Sequence, residues 1–190
     1  ALSNQDFTTA TDTFNTGVGY EAGANITTGV QNTIVGASSG DALTDADRNA
    51  VFGYGALTLD TLGSRSTAIG AITLANQNFT TATESYNTAV GYAAGQEVTT
   101  GTFNTLIGGL SGDAITDADF NVSMGYAALS TNTVGSSSVA IGSFALNAQN
   151  PATAASMLNV AVGQSAGAAI TTGASNTFVG GLAGDADTLG

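Results

Sequence analysis

The chain has no cysteine, lysine, histidine or tryptophan, and a single proline in 190 residues. Without cysteine there is neither a disulfide framework nor thiolate chemistry, which fits any redox compartment. Without histidine and lysine the commonest general bases and amine electrophiles are missing, so the expectation is a protein that is not an enzyme. Two arginines, Arg48 and Arg65, face 14 carboxylates, for a net charge of −12. Neutralising a phosphate backbone takes several cationic contacts, so nucleic acid and acidic lipid surfaces are poor partners. No run approaches the roughly 18 to 20 apolar residues of a membrane span, and no basic and apolar leader opens the sequence. Any export signal is therefore expected outside it. Only 7% of residues are aromatic, poor material for a large globular core.

Glycine is plentiful, at 26 residues, and ten of these follow an apolar side chain at regular intervals. They are Gly19, Gly36, Gly53, Gly70, Gly91, Gly108, Gly125, Gly142, Gly163 and Gly180, separated by 17, 17, 17, 21, 17, 17, 17, 21 and 17 residues. A short fixed period means that each repeat is one unit that must stack on its neighbours to bury an apolar face. Four spacings make a super-repeat of 72 residues: Leu2–Gly23 aligned on Leu74–Gly95 matches at 15 of 22 positions. The expected organisation is a single repetitive segment, 1–190, with super-repeats 2–73 and 74–145 and a partial one at 146–190. Both ends cut the pattern within a unit, which suggests a window from a longer array.

Each unit can be read position by position. Val, Ile, Phe or Met precedes every one of the ten glycines, and Thr, Val or Ala stands two positions earlier, the period of a strand. The intervening residue is mostly apolar as well, so both faces of the strand need cover. A 17-residue turn has a perimeter on the order of 56 Å, which encloses small side chains and little more. One face should fill that lumen and the other should meet another chain. Asn opens eight of the ten units and Ser the other two, as expected of corner residues that satisfy backbone groups or form ladders. The glycine itself marks a bend or a close backbone approach. Four extra residues in the long unit fall in Asn76–Thr83 and read as a protruding loop, with Pro151 in the equivalent loop of the next copy.

The segments STAIG, NTAVGYAAG, SSVAIGSFAL and NVAVGQSAG resemble the head repeats of trimeric autotransporter adhesins. They are also similar to the NTAVGY-type repeats of bacteriophage tail fibres and marine bacterial surface proteins, with AALSTNTVG at Ala127 a near match. The resemblance implies an all-β fold, a left-handed parallel β-roll with 17-residue coils and a 21-residue coil every fourth turn. It further implies a homotrimer and an extracellular place on a cell or virion, with a host receptor or glycan as partner. No cofactor and no membrane insertion are expected in this segment.

Candidate sites are few. Asp41, Asp45 and Asp47 recur as Asp113, Asp117 and Asp119, and three carboxylates with carbonyls or a second chain are a candidate calcium site. Their spacing matches neither an EF-hand nor a glycine-rich nonapeptide repeat, and a solvated acidic ridge is the alternative. The loops at Phe7, Thr8, Thr9 and at Phe79, Thr80, Thr81 are candidates for a receptor-facing surface. The column Tyr20, Tyr54, Tyr92 and Tyr126 either stacks on sugars or fills space between chains. The leading reading is a structural and adhesive segment of a trimeric surface fibre. Its rival is a monomeric solenoid that binds calcium or ice.

Overall fold

The computed structural model describes residues 1–189 as a parallel β-solenoid, with no helix among the described residues. Ten three-residue strands stack into one parallel sheet: β1 (Thr16–Val18), β2 (Thr33–Val35), β3 (Ala50–Phe52), β5 (Thr67–Ile69), β7 (Thr88–Val90), β8 (Thr105–Ile107), β9 (Val122–Met124), β11 (Val139–Ile141), β13 (Val160–Val162) and β14 (Thr177–Val179). The long coils add two short pairs, β4 (Gly63–Ser64) with β6 (Thr83–Glu84) and β10 (Gly135–Ser136) with β12 (Ala155–Ser156). Registers pair each strand residue with its equivalent in the next unit, Thr16 with Thr33 and Thr67 with Thr88, so the 17- and 21-residue periods are each one turn of chain.

The inner face is the intervening strand position. Ile34, Val51, Ala68, Ala89, Leu106, Ala140 and Ala161 are fully buried, as are Ala22, Ala56, Ala94 and Ala128 three residues past the glycines. The remaining lumen is filled in two ways that alternate in pairs of coils. In one pair Gly23 and Gly40 leave room for Ile26, Ile34 and Leu43; in the next, Leu57 and Leu74 occupy the glycine position themselves. All four hold φ between +48° and +57°, so Leu57 and Leu74 accept a left-handed backbone that disfavours a side chain. Complete burial of the leucine side chain, worth about 1.5–3 kcal/mol, offsets that strain.

The repeating glycine is required by contact as well as by conformation. At Gly36 φ is +142°, and a Cβ there would lie 2.3 Å from the Gly53 carbonyl oxygen. The coils approach closely along this column, and again at Gly29 and Gly101, where a Cβ would meet the carbonyls of Ala46 and Ala118.

The asparagine column is a ladder. Asn32 Oδ1 accepts from the Asn49 backbone N–H at 2.9 Å, and Asn32 Nδ2 donates to the Ala46 carbonyl at 2.7 Å. The same two bonds recur at Asn104, to Asn121 N–H at 3.0 Å and to the Ala118 carbonyl at 2.8 Å. One side chain thus ties its own coil closed and links it to the next, satisfying backbone groups that burial would otherwise leave costly.

The loop expectation is corrected in part. Thr80 and Thr81 are exposed, but Phe79 is only 5% exposed and packs into the coil. Its backbone N–H donates to Asp60 at 3.1 Å, which pins the first half of the insertion inward. Asp60 is itself completely buried, and its other oxygen accepts from Gln77 Nε2 at 2.6 Å. Gln77 continues to Ser66 and Asn87, at 2.9 Å each, so in the long coil a glutamine bridges the serine that interrupts the ladder to the asparagine of the next coil.

Candidate functional site

The outer surface of the ten-stranded sheet is the most distinctive feature of the exterior. Side chains alternate along a strand, so the residues on either side of each buried central residue point outward. Immediately before the glycines this sets Val18, Val35, Phe52, Ile69, Val90, Ile107, Met124, Ile141, Val162 and Val179 in one line, with Thr, Ala or Val in a second. Phe52, Ile69 and Met124 are 38 to 41% exposed and Val18 is 57% exposed. Two further columns border them. One follows the glycine and carries Tyr20, Tyr54, Tyr92 and Tyr126 alternating with Ala37, Ala71, Gly109 and Ser143. The other precedes the asparagine and carries Phe14, Gln31, Arg48, Arg65, Tyr86, Phe103, Phe120, Ser137, Leu158 and Ser175.

None of the 14 carboxylates occupies any position of these four columns. The two strand columns lie about 6.6 Å apart and coils stack about 4.8 Å apart, so this face of the sheet runs about 45 Å along the axis, while the flanking columns sit where the backbone turns, at left-handed residues before the asparagines and beyond the positive-φ glycines. The column before the glycines is an unbroken apolar line along the solenoid, and an exposed apolar line of that length marks an interaction surface.

The last of these columns has its own structure. The rings of Tyr86, Phe103 and Phe120 stack at centroid separations of 5.3 and 5.1 Å, nearly parallel. Arg65 caps the stack 5.4 Å from the Tyr86 centroid, and Glu84 holds it there at 2.8 Å while accepting from the Tyr86 hydroxyl at 2.8 Å. Those two contacts, the hydroxyl first and the guanidinium second, hold the Glu84 carboxyl below its ordinary pKa, and the bond to Glu84 raises that of Tyr86. Arg48 makes only a loose contact with Asp47, at 3.8 Å.

The acidic clusters are dispersed by the winding. Asp45 Oδ1 accepts from the Thr28 hydroxyl at 2.5 Å and Asp47 Oδ1 from the Val30 N–H at 2.8 Å, both on the preceding coil. Asp41 Oδ1 accepts from the Thr58 hydroxyl at 2.6 Å, on the following coil. In the second copy Asp119 Oδ1 accepts from the Thr102 N–H and hydroxyl at 2.7 and 2.9 Å, and Asp117 from its neighbour Thr116 at 3.2 Å. Asp113 Oδ1 finds no donor, and its carboxyl is raised above the ordinary value by burial, with Glu97 adding repulsion. Among the described residues no three carboxylates come together as a metal ion would need. Most of these aspartates act instead as clasps between coils, a role the sequence spacing does not announce because the clasped donor lies 17 residues away.

Of the loop candidates, Thr8, Thr9, Thr80 and Thr81 are exposed, Phe7 is half-buried and Phe79 faces inward. Thr9 and Thr81 carbonyls accept from the Thr11 and Thr83 hydroxyls, at 3.1 and 3.0 Å, which gives the two loops the same turn. The sequence reading missed Asp60 and Gln77, because a polar residue inside an otherwise apolar repeat carries no sign of which way it points. No protein-family model matches this chain, and neither a curated protein nor a solved structure matches it.

Proposed function

We propose that this chain is a structural and adhesive segment of a homotrimeric surface fibre, of a bacteriophage tail or a bacterial cell, that extends and presents a host- or receptor-binding surface. In this reading three copies wind as left-handed β-rolls around one axis, outside the cell, with no cofactor and no catalytic role. The apolar outer strand columns carry the proposal. A chain with 14 carboxylates, none of them at a position of the two strand columns that run the length of the sheet, has the charge distribution of a surface meant for cover. Its acidic side chains and the exposed threonine loops remain for solvent and for the receptor. Receptor contacts repeated on three chains would gain by avidity rather than by single-site strength.

The test is to place charge in that face. Ile69→Glu, Ile107→Glu and Ile141→Glu together should reduce the particle to a single chain while the far-ultraviolet circular dichroism of the unaltered protein persists, because these side chains point away from the lumen. Thr80→Glu with Thr81→Glu should leave the particle mass unchanged. Equal masses for all of these variants, at one chain per particle, would favour the monomeric solenoid. Thermal midpoints should rise with protein concentration if association stabilises the fold.

A further inference from the structure

Two columns of the outer face are nearly the same on every coil. The residue before the glycine is always a medium or large apolar side chain, and the outward residue two earlier is always Thr, Ala or Val. Such a surface does not specify its own alignment. A copy slid along the axis by one coil, about 4.8 Å, would bury almost the same side chains, and uniform strands leave register weakly defined.

The column preceding the asparagines is different. It does not repeat with the coil, and it does not repeat with the 72-residue period either: Arg48 and Arg65 are succeeded by Phe120 and Ser137, and Tyr86 by Leu158. Along the axis it runs from a cationic end through three stacked rings to a small residue, Ser137. Its cation is also incompletely satisfied. Arg65 Nε is buried and has no acceptor within the described residues, although the rest of the guanidinium is held by Glu84.

We infer that this column, from Arg48 to Ser137, sets the axial register between copies of the chain. The inference rests on the oligomeric reading above. In the aligned assembly every copy presents the same block of stacked rings at the same height. A slide of one coil breaks that correspondence, bringing Phe120 of one copy to the level of Ser137 in another and leaving the stacked block out of step at both ends. Polar groups at single positions of otherwise uniform apolar interfaces select register in this way, by penalising the alternatives more than by adding attraction.

The absence of cysteine makes the experiment simple. A single Thr81→Cys substitution, on the exposed part of the long-coil loop, accepts a spin label, and distances between copies are read by pulsed dipolar spectroscopy. The otherwise unaltered chain should give one narrow distance distribution. A variant in which Arg48, Arg65, Tyr86, Phe103 and Phe120 are all replaced by Ser should keep the same particle mass but spread into several distances, corresponding to slides of whole coils. An unchanged narrow distribution in that variant would overturn the register role. A variant that falls to single chains while still folded would also overturn it, showing that the column supplies adhesion and not alignment. Single chains for the parent protein would instead remove the oligomeric reading beneath it.

Discussion

The two long coils, Ser66–Tyr86 and Ser138–Leu158, wind alike yet solve one buried problem with different chemistry. At the first, Asp60 of the preceding coil accepts from the backbone N–H groups of Gly63 and Phe79, at 3.0 and 3.1 Å, and from Gln77. At the second, Asn132 stands in place of Asp60 and Pro151 in place of Phe79. Proline has no N–H to give. A carboxylate there would lose one of its donors, and an asparagine does not need it. Its oxygen accepts from Gly135 at 3.1 Å and its amide donates to the Gly135 carbonyl at 2.7 Å. The two substitutions therefore belong together: the charge is present where the donor is present. The difference teaches that the backbone mould is fixed by the period, while the polar interior is tuned pair by pair within it.

The same holds at the coil clasps. Thr58 donates to Asp41, whereas its equivalent Ser130 is engaged by Asn147 Nδ2 at 2.6 Å, a residue that replaces Ala75. Asp113, the equivalent of Asp41, is then left with an unpartnered oxygen.

Crossing the two solutions should have the largest effect. Phe79→Pro alone removes a donor to a buried carboxylate and empties the space of a buried ring, and should cost about 3–5 kcal/mol in chemical denaturation. Adding Asp60→Asn should recover part of that loss, with a coupling of about 1 kcal/mol or more in the double-mutant cycle. Strict additivity would mean that the two positions are independent. Next in size is truncation. Asp60→Ala strands two backbone donors and the Gln77 amide and should cost about 2–3 kcal/mol, more than Asn132→Ala at the equivalent place. Equal losses would erase the distinction between the coils.

A smaller effect should appear against pH. Burial is the dominant influence on Asp60 and raises its pKa above the ordinary 3.8, although bonds from Gln77, Phe79 and Gly63 pull the other way. In the interval above that ordinary value the folded chain then holds more protons than the unfolded one, so stability contributed by this group is largest in acid and declines as pH rises through the folded pKa. Asp60→Asn should remove that decline from the unfolding midpoint measured across the acid range, and Asn132→Ala should leave it in place. The smallest change should come from Asn147→Ala, which frees the Ser130 hydroxyl to reach Asp113; a gain of about 0.5–1 kcal/mol is expected, and a loss would show that the Asn147 bond matters more than the orphaned carboxylate.

Much of the architecture can be read from residue positions alone. The glycine ladder gives the coil length, and the Cβ that would strike the Gly53 carbonyl at Gly36 shows why no other residue serves. The asparagine column, the small lumen residues and the alternation of Gly23 and Gly40 with Leu57 and Leu74 follow equally from size and hydrogen-bonding capacity. Phe79 was illegible because an insertion reads as a loop, and only the tertiary bond to Asp60 turns it inward. The aspartates close in sequence were illegible as clasps for a related reason: one turn of chain sends Asp41 to one neighbouring coil and Asp45 and Asp47 to the other. The apolar strand columns were visible as residues, and their outward direction only as geometry.

Sedimentation equilibrium of the unaltered chain reaches the central claim most directly, since it weighs the particle without reference to shape. Apolar strand columns buried among sister copies predict three times the 18.5 kDa chain mass, unchanged on dilution through the micromolar range. A stable particle of one chain, with those columns open to water, would contradict it.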